Sequence, residues 1–452
     1  MSPETFAVCL RRCGVCPEDR VLAAVSGGAD SMCLLELLCR LRETFPLKVV
    51  CAHAEHGLRG EDSLEDEQFV RRFCGDREVP FYSRSLPVRA FAKEKGIGIE
   101  EAARELRYAF LRETAETTGC AFIATAHHQM DQAETLLMRL GRGTDLRGLA
   151  GMRMRSGNHI RPFLETPPED LRDYLRGEGI SWREDESNAD TAYARNRIRA
   201  AVLPELTALY SGAAGAIARF SQAAARDEDY FAQELLARGL GSPEPLADGA
   251  ALLRSAFLGV HPALAGRAIR GLLEAAGAEL DRRTIETAAQ AARLSDGRLT
   301  LNLPEDGRLT IGKDTVAAVF PRREIPCVPL APGRNETLFG EFVLEPANGK
   351  TGDGKRTQAI PEVEAPFLSV GVREEGETMI PFGRQRETSL AGIIKNAGIE
   401  APLRRSVPVI RGKIGVLWVA GVRAADGCRC NGEGNWLLTW VNPVHGLLSP
   451  WQ

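Results

Sequence analysis

No long hydrophobic run occurs in the chain. The best candidate, Val416 to Val422, is strand-length and far short of the ~20 apolar residues of a membrane-spanning helix, so no membrane role is expected. The first residues, Met1 to Cys13, mix Glu4, Arg11 and Arg12 with few apolar side chains. They lack the apolar stretch of a signal peptide, and a cytoplasmic protein is expected. Low-complexity tracts and internal repeats are absent, and with 44% hydrophobic and 26% charged residues the composition excludes a fibre or a disordered chain. Paired metal-binding cysteines are missing too. Eleven cysteines are scattered, and Cys13-Gly-Val-Cys16 and Cys428-Arg-Cys430 each stand without a second pair, whereas zinc normally takes four ligands. Cys33, Cys39 and Cys51 lie in apolar surroundings, as reduced thiols that behave as small hydrophobes do. Positive charge is not in excess: the net charge is −4, which alone argues against a phosphate-rich partner. Its distribution does not. From Arg384 to Lys413 there are seven basic residues (384, 386, 395, 404, 405, 411, 413) and two acids, Glu387 and Glu400, a patch that can meet RNA.

At 452 residues the chain exceeds one hydrophobic core, and two or three domains are expected. Val21 to Val25 reads as a buried strand, Ser26 to Ser31 as a turn, and Met32 to Leu38 as a helix. The alternation continues with a strand at Leu47 to His53, a helix at Ser63 to Cys74 and a strand at Val79 to Leu86. A long helix, Glu100 to Thr117, is followed by a strand, Ala121 to Ala126, and a helix through Leu140. Such units predict a parallel sheet wrapped by helices, with ligands at the carboxyl ends of the strands. After Pro204 the sequence is Ala-rich and helical to about Leu294, followed by short β-patterned segments (Leu299 to Leu303, Arg308 to Ile311, Val316 to Phe320). Ala347 to Arg356 is rich in Gly, Lys and Asp, as a linker or exposed loop is. The expected division is an α/β domain over 1–205, a mostly helical middle domain with terminal β segments over 206–345, a linker over 346–366, and a small α+β domain over 367–452.

Ser26-Gly27-Gly28-Ala29-Asp30-Ser31 lies where a strand meets a helix. Its glycines permit backbone angles closed to other residues, so several N–H groups can face one anion beside the positive end of the helix. The serines add hydroxyl donors. Neither the Gly-Lys-Ser/Thr of a P-loop nor a GxGxxG fingerprint is present. The hexapeptide instead matches SGGxDS, the signature of the PP-loop enzymes, which split ATP to AMP and pyrophosphate. The resemblance implies a Rossmann-like PP-loop domain in which Ser26, Gly27, Gly28, Ala29 and Ser31 cradle the pyrophosphate portion of ATP and Asp30 holds Mg2+.

The same loop serves several chemistries, and further motifs narrow the resemblance. The first two hundred residues resemble the tRNA(Ile)-lysidine synthetase family. The matching motifs are Ala52-His53, His56-Gly57-Leu58-Arg59, Glu101-Ala102-Ala103-Arg104 with Leu106-Arg107-Tyr108, Ala126-His127-His128, and Asp131-Gln132-Ala133-Glu134-Thr135. They continue with Arg142-Gly143-Thr144, Gly148 to Met152, Arg161-Pro162, Asp185-Glu186-Ser187-Asn188 and Arg195 to Arg199. One departure stands out: Met130 takes the first of the two places where the family carries successive aspartates. In the tail, Arg404-Arg405, Pro408 and Val416 to Val419 resemble, more weakly, the family's acceptor-stem-docking domain.

His128, Asp131 and Glu134 are spaced three apart and share one helix face, where carboxylates can bind metal or accept a proton. Arg104 and Arg107, also three apart, can hold substrate phosphates or pair with Glu101 and Glu105. Arg195, Asn196, Arg197 and Arg199 form a cluster suited to RNA or ATP phosphates, or to interdomain salt bridges. The resemblance implies catalytic roles for Asp30, Arg104, Asp131 and Glu134, nucleotide contacts from His53 and His128, and metal binding by Asp30 and Asp131. It implies tRNA contacts from Arg195, Asn196, Arg199, Arg404 and Arg405. It further implies lysine ligation to C2 of cytidine 34 in tRNA(Ile) with a CAU anticodon, through an adenylated base, so that the tRNA reads AUA instead of AUG. L-lysine, ATP and that tRNA are the expected partners, and a second copy of the chain has a surface to bury in the helical middle region. Two alternatives remain open at this stage: a PP-loop tRNA thiolase, for which Cys13 and Cys16 are the only suggestive pair, and an RNA-binding nucleotide sensor without catalysis.

Overall fold

The computed structural model describes residues 1–55, 61–183, 194–321, 323–428 and 435–443. His56 to Arg59, Asp185 to Asn188 and Cys430 lie outside them. Met1–Asp229 and Tyr230–Gln452 form two compact units.

In the first unit, the apolar runs become the strands of a six-stranded sheet: β1 (Arg20–Ala24), β2 (Lys48–Glu55), β3 (Phe81–Ser85), β4 (Phe122–Ala124), β5 (Arg155–Ser156) and β6 (His159–Ile160). Their order is β3-β2-β1-β4-β6-β5, parallel except where β5 turns back on β6. The helices are α1 (Pro3–Arg12), α2 (Ala29–Leu41), α3 (Glu61–Asp76), α4 (Val88–Lys95), α5 (Ile99–Thr118), α6 (Gln129–Arg142), α7 (Leu146–Leu149), α8 (Pro168–Gly177), α9 (Ala194–Arg197), α10 (Leu203–Leu209) and α11 (Ala213–Ala237). A π-helical turn, Ile198–Val202, joins α9 to α10.

Strand alternation divides the core. Val21 and Ala23 of β1 join the cluster containing Leu10, Leu35 and Leu171, on the α1, α2 and α8 face, while Leu22 joins Phe110 and Leu111 of α5 on the other. From β1 the chain moves outward to β2 and β3, then returns to β4 on the other side of β1. That reversal opens a crevice at the carboxyl ends of β1 and β4, where α/β sheets bind their ligands.

The second unit contains β7 (Glu244–Leu246), β8 (Gly249–Leu253), α12 (Pro262–Ala276), α13 (Arg282–Arg293), β9 (Leu299–Asn302), β10 (Arg308–Ile311), β11 (Thr315–Val319), β12 (Val328–Pro329), β13 (Gly333–Thr337), β14 (Gly340–Pro346), β15 (Thr357–Ile360), β16 (Ser369–Gly371), β17 (Thr378–Met379), β18 (Thr388–Ser389), α14 (Leu390–Asn396), β19 (Val409–Gly412), β20 (Gly415–Val419), β21 (Arg423–Ala424) and β22 (Trp436–Pro443). The helices α12 and α13 pack with a sheet of order β7-β8-β11-β10-β9. The Ala-rich reading did not anticipate β7 and β8. A five-residue Gly-Ala-Ala-Leu-Leu run after the Ala247-Asp248 turn is too short for a helix and instead pairs with β11.

The stretch read as a linker, 346–366, contains β15, which pairs with β22 from the far end of the chain. Because β22 also pairs with β14, residues 333–360 and 436–443 share one sheet. Removing everything from Phe367 onward therefore takes a central strand out of that sheet.

Asp248, in the turn between β7 and β8, is 2% exposed. One carboxylate oxygen, Oδ1, has no hydrogen-bond partner, and Oδ2 lies 3.7 Å from an Arg405 nitrogen. Burial, only partly offset by Arg405, pushes the carboxyl up to about 6. The folded value lies above the unfolded value of ~3.9, so its contribution to stability is full below about pH 4 and lost as pH rises through about 6. Asp248→Asn cannot ionise. Its unfolding free energy relative to the parent is expected to shift in the variant's favour by about 2 kcal/mol between about pH 4.5 and about pH 7.5. Urea titrations check this; a pH-independent difference would mean that Asp248 is not a buried titrating carboxylate.

Candidate active site

Beyond β1, Val25 keeps the strand's register by donating its N–H to Ala52 O at 2.9 Å. Gly27 then takes φ +97°, a conformation that L side chains rarely adopt. The chain enters α2 at Gly28, an N-cap without a side-chain cap, so the first-turn N–H groups of Ala29, Asp30 and Ser31 lie at the positive helix end as an anion site. Ser31 holds the loop from inside. Its Oγ donates to Gly28 O at 2.9 Å and accepts the Ser26 N–H at 3.1 Å. The Ser31 hydroxyl is thus committed to the loop's shape, where the sequence suggested a donor for the ligand. Arg183 braces the outside: its N–H donates to Gly27 O at 3.0 Å, and its guanidinium pairs with Asp66 and Glu65 of α3. His53 is buried, its Nδ1 2.9 Å from Val25 O; it supports the loop and is not on the cavity wall.

Across the crevice, His128 caps α6. Its Nδ1 accepts the Met130 N–H at 3.2 Å, and its own N–H donates to Asp131 Oδ2 at 2.9 Å, forming a reciprocal capping box. The neutral ring therefore carries its proton on Nε2, which lies 3.4 Å from Asp30 Oδ2. Burial disfavours the charged ring, but the Asp30 hydrogen bond and the charges of Asp131 and Asp30 outweigh it and raise His128 above its ordinary value. The adjacent His127 behaves oppositely. Burial, with Arg161, Arg107 and Arg195 adding to it, lowers it to about 3 against the pull of Asp131, leaving a neutral imidazole.

Asp131 and Glu134 meet two arginines from the segment that follows. Glu134 is 0% exposed. Its Oε2 is 2.7 Å from Arg195 Nε and its Oε1 2.5 Å from Arg199 Nε. Both guanidinium groups also reach Asp131 Oδ1, at 3.1 Å and 3.3 Å. Burial alone would raise Asp131, but His128, Arg195 and the hydrogen bond from the His128 N–H hold it below its ordinary value. The predicted helix face is thus present and occupied: Glu134 has no surface from which to touch a substrate, while Asp131 keeps a place on the cavity wall.

Ser26, Gly28, Asp30, His128, Asp131 and Arg199 line one cavity of about 760 Å³, within the range of small-molecule sites. Asp30 Oδ1 is buried there without a hydrogen-bond partner, an orphan that a cation satisfies. Among the described residues no three His, Cys, Asp or Glu side chains converge on one point. That fits Mg2+, which typically takes one or two carboxylates and completes its shell with phosphate oxygens and water. Met130, in place of the family's first aspartate, lines the cavity and contributes no charge.

The sequence reading assigned Arg104 to catalysis. Arg104 is exposed, with its Cζ 5.0 Å from the Tyr108 ring centroid, and Arg107 is the one on the cavity wall. Leu111, four residues on and on Arg107's face of α5, is buried and lines the same cavity; the spacing alone did not separate Arg107 from Arg104. Trp182, Arg172 and Arg183 also line it without having been singled out. Of the residues assigned to tRNA, Arg195 and Arg199 face the carboxylates and Asn196 is half-buried beside them. In the second unit, Arg404 donates to Ile399 O at 2.9 Å. Arg405 donates to the carbonyls of Phe320, Pro321 and Arg323. No cysteine among the described residues lines the cavity, and burial pushes the Cys13 thiol up to about 11, far from the reactive thiolate that sulfur transfer needs.

A parallel sheet whose switch-point loop carries Ser-Gly-Gly-Ala-Asp-Ser defines a PP-loop nucleotide-binding domain, and residues 6–206 match the family model described as a PP-loop domain. Residues 368–440 match the model described as the TilS substrate C-terminal domain. The chain is 36% identical to the tRNA(Ile)-lysidine synthase of Geobacter sulfurreducens over 440 residues, 91% of each protein. It is 30% identical to that of Geobacillus kaustophilus over 92% of this chain and 94% of the other. With the Thermus thermophilus protein it shares 36% identity over 80% of this chain and 68% of that one. The chain belongs to the tRNA(Ile)-lysidine synthase family.

If Glu134 anchors rather than catalyses, Glu134→Gln leaves two guanidinium groups short of a partner in a buried site. The variant is expected to lose about 3 kcal/mol of stability, the cost of breaking a buried pair, in chemical denaturation of the ligand-free protein. Unchanged stability with lost turnover would return Glu134 to a chemical role.

Proposed function

We propose that this chain ligates lysine to C2 of the wobble cytidine in tRNA(Ile) bearing a CAU anticodon, consuming ATP and giving lysidine, AMP and diphosphate. The reading rests above all on one observation: the first turn of α2, without a side-chain cap, the orphaned Asp30 oxygen and the Asp131–Arg199 pair line the same cavity. Membership of the lysidine synthase family, and the C-terminal match, supply the RNA substrate.

The cytidine C2 carbonyl is a poor electrophile. Attack by its oxygen on the α-phosphate of ATP releases diphosphate and leaves an adenylated base, from which AMP departs when an amine adds at C2. The loop amides hold the triphosphate, and a fixed dipole site of this kind acts without reorganisation as charge builds on the departing diphosphate. Bound Mg2+, held by Asp30 and Asp131, would supply neutralisation of that charge. Arg107 and Arg199 add fixed positive charge to the wall. His128 Nε2–H keeps the Asp30 carboxylate oriented. The lysine ε-ammonium, with an ordinary pKa of ~10.4, must shed a proton to attack; Asp131 shares the wall with Asp30 and Glu169, attracts the ammonium and is the acceptor that Asp131→Asn tests.

ATP–pyrophosphate exchange separates this reading from a binding-only protein. Exchange is expected to require the tRNA but no lysine, and Asp30→Asn is expected to slow it by about 100-fold. Exchange without RNA, or none under any condition, would refute base adenylation. For the second half-reaction, Asp131→Asn is expected to lose lysidine formation across the pH range; full turnover at every pH would remove Asp131 as the acceptor.

A further inference from the structure

The fold breaks up the basic patch between Arg384 and Lys413. Arg411 is bound by both oxygens of Glu377, at 2.7 Å and 2.8 Å, Arg404 and Arg405 serve main-chain carbonyls, and the Lys413 ammonium lies 5.7 Å from the Phe367 ring centroid. Arg384, Arg386 and Lys395 of α14 are exposed, and the two arginines share one loop. Neither arginine pairs with a carboxylate among the described residues.

They belong to the loop 380–387 between the paired strands β17 and β18. Its backbone is pinned to the segment after β20. Pro381 bridges Ala425, the Phe382 N–H donates to Ala424 O at 2.9 Å, and the Asp426 N–H donates to Ile380 O at 2.7 Å. The Gly383 N–H donates to Asp426 Oδ1 at 3.1 Å, and the Arg384 N–H closes a turn on Pro381 O at 2.9 Å. On this braced loop Phe382 is 50% exposed. Arg423, exposed on the neighbouring strand β21, donates to Phe382 O at 3.4 Å. The nearby acids are engaged locally: Asp426 holds Gly383, and Glu387 accepts from the Thr378 hydroxyl at 3.2 Å.

An aromatic ring exposed on a backbone that is already ordered loses little entropy on binding. Its company selects the partner. Aromatic and Arg side chains also serve protein interfaces, but for a chain that acts on an RNA an exposed aromatic among guanidinium groups without carboxylate partners suits a nucleobase with its flanking phosphates. We propose that the tip of the 380–387 hairpin is a stacking site for an exposed RNA base, with Phe382 against the base and Arg384, Arg386 and Arg423 on the adjoining phosphates. The inference rests on the reading that the chain acts on a tRNA, and it moves C-terminal recognition away from Arg404 and Arg405.

The test measures binding of the full chain to an unmodified tRNA(Ile) transcript and to its isolated anticodon stem-loop. Phe382→Ala is expected to weaken transcript binding about tenfold, while Phe382→Tyr retains affinity to within about twofold. Replacing Arg384 and Arg386 together by Ala is expected to flatten the dependence of log affinity on log salt by about 1.5. Stem-loop binding stays unchanged in all three. Equal transcript affinity for the parent and Phe382→Ala overturns the stacking site alone, as does an equal loss on the stem-loop. A parent chain that binds no tRNA overturns both the substrate assignment and this site.

Discussion

A carboxylate without any accessible surface organises the catalytic unit. Glu134 is accommodated inside α6 because Arg195 and Arg199 approach it from the same side; a lone buried carboxylate would be far too costly. The same two guanidinium groups reach Asp131 Oδ1, which leaves Asp131 Oδ2 to cap the helix at His128. His128 then presents Nε2 to Asp30 at the start of α2. One connected set of polar contacts therefore runs from Arg199 to the phosphate-binding loop. Buried ion pairs of this kind add little net stability, and what this one supplies is placement.

That arrangement explains which parts of the site were legible in the sequence. The loop was, because a strand, two glycines and an apolar helix are consecutive and each carries a local signal. The shared face of His128, Asp131 and Glu134 was legible from their spacing alone. The destination of each charge was not. Three-residue spacing places Glu134 on a face without revealing that a segment some sixty residues later covers it, and a run of arginines looks the same whether it meets RNA or a buried acid. His53 follows the same logic: its strand was evident, but its role under Val25 depends on the register between β1 and β2.

The fold was legible in proportion to how local its pairings are. The β-α alternation of the first unit gives sheet, direction and crevice together. In the second unit β15 finds its partner in β22, more than seventy residues away, so a Gly- and Lys-rich neighbourhood looked like a linker. β7 and β8 were concealed by alanine, which is compatible with a helix until a short run, a two-residue turn at Ala247-Asp248 and a waiting neighbour, β11, favour a strand.

A chain with a net charge of −4 cannot attract RNA through a general positive field, and the long-range steering that basic proteins use is weak for it. Many of its arginines are also spent internally, on Glu134, Glu377 and main-chain carbonyls. Affinity for a polyanion must then come from a few cations left without acidic partners and held where ordering costs little. Arg107 on the cavity wall and the arginines of the 380–387 hairpin meet that description, one in each compact unit. Recognition built from sparse, braced contacts is less sensitive to total charge than to the position of each one, so an acidic protein can be a selective RNA enzyme.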